Sequence, residues 1–146
     1  MFFMIITIDT NVVLAGLLSQ NGASHQILKL VTEEKLQLAL TTPIVFEYDD
    51  VLNRPEIMKM HGLVADQIKD IIDLLVLLAD KYSVFYRLRP NLIDENDNLF
   101  IECAFTSNSN YLITSNIKDF TQNELKHNPF VVVTPREFYQ QWRALK

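Results

Sequence analysis

Short apolar runs rich in β-branched residues alternate with helical segments along the 146-residue chain, and this alternation restricts the fold more than any other feature. The first run, FFMIITI at residues 2–8, is almost entirely apolar, as expected for a strand that is covered on both faces. Further strands are predicted at residues 36–41, 83–86, 111–114 and 130–133, and helices at residues 23–34, 42–53, 64–81, 94–105 and 134–145. Strands that alternate with helices form parallel sheets with right-handed crossovers. The sequence therefore predicts a single three-layer α/β domain over residues 1–146, with a central five-stranded parallel sheet and helices on both faces.

Prolines and capping residues mark where the helices begin and end. Thr42 followed by Pro43 predicts an N-cap residue with proline at the first helical position. The same helix is predicted to stop before Pro55, because the residue that precedes a proline disfavours helical geometry. The spacing of Thr134-Pro135-Arg136-Glu137 is that of a capping box, which predicts the start of the last helix. Residues 9–11 (DTN) instead predict a polar turn between the first strand and a second apolar segment.

The composition excludes several classes of site. The three glycines, Gly16, Gly22 and Gly62, are too far apart for a glycine-rich phosphate loop. Cys103 is the only cysteine in the sequence, which excludes an internal disulfide and a multi-cysteine zinc site, and we expect it to lie in the core. The three histidines share no ligand spacing, so the sequence contains no local histidine zinc motif.

The composition, with a single cysteine, is typical of a cytoplasmic protein, and no membrane segment is predicted. The apolar stretch 1–18 has no basic residue before Lys29, unlike a signal peptide, and Asp9 interrupts its middle. The chain has 13 Lys and Arg against 18 Asp and Glu, a net charge of −5, whereas general nucleic-acid binders carry an excess of basic residues. Any contact with nucleic acid must therefore use a local patch, a bound metal or a partner chain.

Acidic and amide side chains follow four of the predicted strands. They are Asp9 after the first strand, Glu47 in the helix after the second, Asp94 and Asp97 at the start of the helix after the third, and Asn116 and Asp119 after the fourth. The carboxyl ends of parallel strands meet at one edge of the sheet, so these side chains are expected to converge. Clustered carboxylates repel one another unless a cation neutralises them, and hard oxygen ligands favour Mg²⁺ or Mn²⁺. Such ions can activate water and stabilise the leaving oxygen of a phosphodiester.

Each of these residues also has a purely structural interpretation. Asp9 can order a turn through its own backbone, and a single Glu such as Glu47 is most often a solvated helix residue. Asp94 and Asp97 have the spacing of a helix cap and an acid in the first turn, and Asp119 can cap a short turn. These separate interpretations leave the shared location of the residues unexplained.

Five pieces of the sequence occur in a recognisable order and span nearly the whole chain. They are IITIDTNV at 5–12, EYDDVLNRPEI at 47–57, DENDNLFIECA at 94–104, YLITSNIKDF at 111–120 and VVTPREF at 132–138. In this ordered set the chain resembles the PIN-domain family, of the toxin-associated, VapC-like type. The resemblance implies a metal-dependent ribonuclease with a central parallel sheet, Mg²⁺ or Mn²⁺ as cofactor, RNA as substrate and an antitoxin as protein partner.

The resemblance also implies roles for individual residues. The catalytic groups and metal ligands that it implies are Asp9, Glu47, Asp97 and Asp119, and the supporting residues are Thr10, Asn11, Asp94 and Asn116. Thr10 or Asn11 would orient the first carboxylate and a metal-bound water. Many family members have an acid where Asn116 stands, and others have Asn there with Asp three residues later. We therefore assign the fourth acidic role to Asp119, with Asn116 in support.

Two other functions are compatible with parts of the same pattern. A phosphatase of the haloacid-dehalogenase type also begins with an Asp after the first strand, but it needs a second Asp two residues later, where this chain has Asn11. A non-catalytic interaction module on the same fold would use the apolar segment 71–79 as its working surface. A helix buried in its own domain is the simpler interpretation of that segment, but its apolar excess leaves room for a homo-oligomer or antitoxin contact. Metal-dependent cleavage of RNA separates the enzyme from the interaction module.

Overall fold

Five short strands form one parallel sheet in the computed structural model, which describes residues 4–84, 95–120 and 129–145. The strands are β1 (Ile5–Ile8), β2 (Gln37–Leu40), β3 (Asp80–Lys81), β4 (Tyr111–Ile113) and β5 (Val131–Val133). Their order across the sheet is β3-β2-β1-β4-β5, and every neighbouring pair is parallel. The predicted central five-stranded parallel sheet is thus confirmed, with β1 in the middle.

Helices connect the strands and cover the sheet. They are α1 (Thr10–Leu18), α2 (Ala23–Thr32), α3 (Thr42–Leu52), α4 (Pro55–His61), α5 (Ala65–Leu78), α6 (Glu95–Thr106), α7 (Ile117–Phe120) and α8 (Pro135–Ala144). The chain crosses from β1 to β3 in one direction and then returns to β4 and β5. Right-handed crossovers therefore place α1 to α5 on one face and α6 and α7 on the other. None of the helices in the described ranges combines the length and the hydrophobicity that a bilayer-crossing segment requires.

The core runs through both faces of the sheet and ties the helices to it. Tyr48 of α3 and Phe100 of α6 are buried and stack with their ring centroids 6.4 Å apart. Tyr111 of β4 meets Phe138 of α8 edge to face, with the ring centroids 5.2 Å apart. Cys103 is fully buried, as expected, and burial raises the pKa of its thiol to about 11. It is therefore a structural residue and not a nucleophile.

The polar triplet after β1 forms the start of a helix, so the prediction of a turn at residues 9–11 was wrong. Helix α1 begins at Thr10, and Asp9 occupies the N-cap position with extended backbone angles (φ −65°, ψ 150°). The backbone N–H of Val12 donates to the Asp9 carbonyl at 3.0 Å, which closes the first helical turn. The apolar segment that follows is thus a helix that packs on α2, and Asp9 lies at the junction of strand and helix.

The third strand lies earlier than predicted. The helix expected to reach residue 81 ends at Leu78, and the strand expected at 83–86 is β3 at Asp80–Lys81. Residues 83 and 84 are not in a strand, and residues 85 and 86 lie outside the described ranges. Both β3 residues are exposed, so hydrophobic patterning could not reveal them. Pairing with β2 decides their conformation, through the registers Ala39–Asp80 and Leu40–Lys81.

Two further helix boundaries differ from the prediction. The N-cap of α3 is Thr41 and not Thr42, because the Thr41 hydroxyl accepts a hydrogen bond from the Ile44 N–H and Pro43 occupies the second helical position. Pro55 begins an unpredicted helix, α4, which ends at Gly62 in the left-handed conformation (φ 73°). The capping box of α8 is confirmed, with reciprocal hydrogen bonds between Thr134 and Glu137.

Candidate active site

A cleft of about 290 Å³ lies at the carboxyl ends of the central strands, where the chain switches from one face of the sheet to the other. Its lining residues in the described ranges are Asp9, Thr10, Asn11, Leu14, Glu47, Val51, Arg54, Asp97, Phe100 and Asn116. Three carboxylates, Asp9, Glu47 and Asp97, therefore meet in one cleft although they come from three separate strand–helix units. A larger cavity of about 450 Å³ has Glu102 as the one carboxylate among its described lining residues, and none of the predicted site residues in the described ranges lines it.

The carboxylate of Asp9 is the most buried acid of the cleft, with 6% of the residue exposed. It makes no hydrogen bond that caps α1. Its Oδ2 instead accepts a hydrogen bond from the Thr114 hydroxyl at 2.7 Å. Burial raises the pKa of Asp9 above its ordinary value of 3.8, the hydrogen bond from Thr114 opposes this rise, and the negative charge of Asp119 adds to it. The site therefore holds an acid whose ionised form is disfavoured in the absence of a cation.

Hydrogen bonds join the segment after β4 to the segment after β1. The Thr114 hydroxyl, which donates to Asp9, also accepts from the backbone N–H of Asn116 at 3.0 Å. Asn11 accepts a hydrogen bond from the Ser115 N–H through its side-chain oxygen at 3.3 Å, and its side chain also lowers the pKa of Asp9. Thr114 was missed in the sequence, where a threonine at the end of a strand gives no sign that it will meet a carboxylate 105 residues away.

Two buried aromatic residues position the helices that carry Glu47 and Asp97. The Tyr48 hydroxyl donates to the carbonyl of Ile8, the last residue of β1, and so holds α3 against the strand that precedes Asp9. Phe100, one turn after Asp97, stacks on the Tyr48 ring and lines the cleft. This packing places the carboxylates of α3 and α6 beside the end of β1.

The remaining predicted residues occupy different positions relative to the cleft. Asn116 lines it, whereas Asp119 lies in α7, is exposed and is not a lining residue. The negative charge of Asp119 is nevertheless close enough to raise the pKa of Asp9. Asp94 lies outside the described residues. The structure thus brings Asn116 to the cleft and leaves Asp119 at its periphery.

The donor set of the cleft fits a hard divalent cation. Carboxylate, amide and hydroxyl oxygens are the ligands that Mg²⁺ and Mn²⁺ prefer. Thr10 also lines the cleft, and its hydroxyl is buried without a hydrogen-bond partner. Within residues 4–84, 95–120 and 129–145, no three His, Cys, Asp or Glu side chains lie close enough together to form a ready ligand group. Metal binding by this cleft stays a prediction.

A buried amide next to Asp97 was also missed in the sequence. Asn98 is 1% exposed, and neither atom of its side-chain amide has a hydrogen-bond partner. Burying an amide without hydrogen-bond partners costs free energy, so Asn98 is expected to destabilise the fold at this position. The sequence offers no signal for this, because the burial of Asn98 follows from how α6 packs.

Residues 6–118 match the family model of the PIN domain. The chain belongs to the PIN-domain family. PIN domains are generally nucleases, and they generally use divalent metal ions. An uncharacterized protein of Methanocaldococcus jannaschii, MJ1680, is 30% identical over 149 residues, which covers 94% of this chain and 90% of that protein. A chain of VapBC2 from Rickettsia felis, whose crystal structure contains a DNA fragment from the promoter, superposes with a TM-score of 0.62. The two chains are 17% identical, and the superposition covers 90% of this chain and 98% of the VapBC2 chain. This likeness shows the fold.

Proposed function

We propose that this PIN-domain protein is a metal-dependent endoribonuclease that hydrolyses RNA phosphodiester bonds and acts as the toxin of a toxin–antitoxin pair. The observation that carries the proposal is the meeting of Asp9, Glu47 and Asp97 in one cleft at the carboxyl edge of the sheet. Separate structural roles for the three acids do not account for their common location. A metal-dependent phosphodiesterase does, because it needs several acidic oxygens at one point.

The side chains of the cleft have distinct tasks under this proposal. A divalent ion, when bound, supplies a polarised water and stabilises the charge that develops on the phosphate. Asp9, Glu47 and Asp97 would hold the ion, and Asp119 would add a fourth negative charge from α7. The Thr114 hydroxyl fixes the direction of the Asp9 carboxylate. Thr10 and Asn11, which also hydrogen-bond to this carboxylate, would help to orient it. The buried ring of Phe100, stacked on Tyr48, holds the helices that carry Glu47 and Asp97 in place.

Cleavage of a labelled single-stranded RNA by the purified protein tests the proposal. We expect cleavage with Mg²⁺ or Mn²⁺ and none with EDTA, because the carboxylates alone repel the phosphate. Full activity in EDTA would contradict the metal mechanism. A folded protein that cleaves no RNA with either metal would favour the non-catalytic interaction module.

Replacing Thr114 by Val is expected to weaken Mn²⁺ binding by about tenfold, because a hydrogen bond to a charged group contributes about 1.5–3 kcal/mol. The variant keeps the shape of the side chain but removes the donor to Asp9 and the acceptor for the Asn116 N–H. Thr114→Ser keeps the hydroxyl and is the matched control. Titration of both variants with Mn²⁺ measures the effect. Equal affinities for the Val and Ser variants would show that Thr114 does not orient the carboxylate.

We assign the fourth acidic role to Asp119 rather than to Asn116. Asn116 lines the cleft but has no charge to neutralise a cation, although its amide oxygen can coordinate one. Asp119→Asn should therefore weaken Mn²⁺ binding and slow cleavage more than Asn116→Ala does, provided that circular dichroism shows both variants folded. Unchanged affinity and rate in Asp119→Asn would leave a site of three carboxylates.

The proposed toxin role also requires a protein partner. Part of the apolar segment 71–79 is exposed: Leu77 retains 75% of its accessible surface, and Leu74 is also exposed, while Ile72 and Leu75 are buried in the core. The two exposed leucines are three residues apart on α5 and are suited to contact an antitoxin or a second copy of the chain. Sedimentation across micromolar concentrations tests self-association, which a monodisperse monomer would contradict.

A further inference from the structure

We propose that Arg54 binds a backbone phosphate of the RNA at the mouth of the acidic cleft. This inference rests on the proposed nuclease function and adds a positioning residue to it. The phosphate is one that flanks the bond to be cleaved, so Arg54 would hold the strand and not take part in the chemical step.

The position of Arg54 follows from the spacing of three residues along one stretch of chain. Glu47 and Val51 are four residues apart on α3 and so share one side of that helix, and just past its end the Arg54 N–H donates to the Val51 carbonyl at 3.2 Å. All three line the cleft. Arg54 is the N-cap residue of α4, and Pro55 follows it at the first position of that helix, so the backbone that carries Arg54 is held between two helices.

The charges that line the cleft show why RNA binding needs a basic side chain at its rim. Among the described residues that line it, Arg54 is the one cation beside three carboxylates. The chain as a whole has a net charge of −5, so its overall field repels a polyanion. An RNA strand that brings one phosphate to the carboxylates must place neighbouring phosphates near the rim. The planar guanidinium of an arginine can bind such a phosphate through two parallel hydrogen bonds.

The ion pair of Arg54 leaves the side chain available for this contact. Its Nη2 lies 2.9 Å from Oδ2 of Asp50, and the two side chains are 47% and 65% exposed. Exposed pairs of this kind contribute little to stability, so a phosphate can replace or share the interaction. The guanidinium has five N–H donors, and the hydrogen bond to Asp50 is made by Nη2. Asp50 therefore orients Arg54 in the free protein and competes with RNA for it.

Binding of RNA without cleavage tests the inference separately from the proposed function. The parent is the Asp9→Asn variant in EDTA, and the probe is a fluorescent single-stranded decaribonucleotide whose anisotropy is followed at several salt concentrations. Arg54→Ala should weaken binding about tenfold and reduce the salt slope by about 0.7, the value for one phosphate contact on a single strand. The affinity of Arg54→Lys for the RNA should lie between that of the parent and that of Arg54→Ala. Lys69→Ala is the matched control, because it removes another exposed cation that is ion-paired four residues along its helix.

A second pair of variants tests the competition by Asp50. Asp50→Asn should tighten RNA binding more than Asp49→Asn does, although both remove one exposed charge from α3. The inference is overturned if Arg54→Ala binds like its parent, if Lys69→Ala loses as much as Arg54→Ala, or if the parent binds no RNA. If the unmodified protein shows no metal-dependent cleavage, the proposed nuclease function is contradicted. The role of Arg54 in RNA binding is then judged from the binding experiment by itself.

Discussion

Replacing Asp9 by Asn is expected to reduce RNA cleavage by about a thousandfold, comparable to the loss of a central electrostatic group in other active sites. Asp9 is the buried carboxylate at the end of β1, and the Thr114 hydroxyl fixes its direction. An asparagine side chain still accepts the hydrogen bond from Thr114, so the fold should persist while the charge that holds the cation is lost. Asp70→Asn, the same chemical change on the exposed side of α5, should cleave at the wild-type rate. Wild-type cleavage by Asp9→Asn would exclude this cleft as the active site.

The same substitution should stabilise the metal-free protein at neutral pH or leave its stability unchanged. Burial raises the pKa of Asp9 in the folded state, so the ionised carboxylate opposes folding above that pKa. As the pH falls through the raised pKa towards 3.8, folding takes up a proton and this penalty disappears. The stability of wild-type protein relative to Asp9→Asn should therefore increase over that interval. Urea unfolding in EDTA at neutral and acidic pH measures this difference in the free energy of unfolding. If Asp9→Asn is strongly destabilised at neutral pH, the charge of Asp9 supports the fold and the expectation is wrong.

Phe100→Ala is expected to lower the free energy of unfolding by about 3–5 kcal/mol, the range for truncation of a buried phenylalanine. Phe100 is 2% exposed, stacks on Tyr48 and lines the cleft. For a domain of this size the loss corresponds to a fall in Tm of about 10 °C. Cleavage should fall as well, because the helix that carries Asp97 loses the stacking contact of Phe100 with Tyr48 of α3.

A second phenylalanine on the same helix provides the control. Phe105 is 45% exposed, so Phe105→Ala should change the free energy of unfolding by no more than about 0.5 kcal/mol. Thermal melts of the two variants in EDTA measure the difference. Similar melting temperatures would show that α6 is not held by the stacked pair, and the proposed link between the core and the site would have to be abandoned.

The sheet could be predicted from the sequence because four of its five strands lie in largely apolar runs. β1, β2, β4 and β5 all lie within the predicted segments. β3 could not be predicted, since its two residues are exposed and take their conformation from backbone pairing with β2. The start of α1 was missed for a related reason: the polar residues at 9–11 resemble a turn, while the packing of α1 on α2 favours a helix.

Part of the candidate site could be predicted in the same way. Asp9, Glu47 and Asp97 follow strand ends, and the parallel topology alone brings such positions to one edge. Thr114 and Arg54 depend on where side chains point after packing, which periodicity does not show. The burial of Asn98 is a property of the packed helix and has no signature in its neighbours along the chain. The contribution of Asp119 stays a prediction because its side chain lies at the periphery of the cleft.

Isothermal titration of the metal-free protein with Mn²⁺ measures metal binding by the cleft without depending on which RNA is cleaved. We expect saturable binding by the unmodified protein and by Asp70→Asn. Binding should be lost in Asp9→Asn and weakened in Glu47→Gln and Asp97→Asn, since all three carboxylates line the same cleft. Mn²⁺ binding that is equally strong in Asp9→Asn and in the unmodified protein would contradict the account.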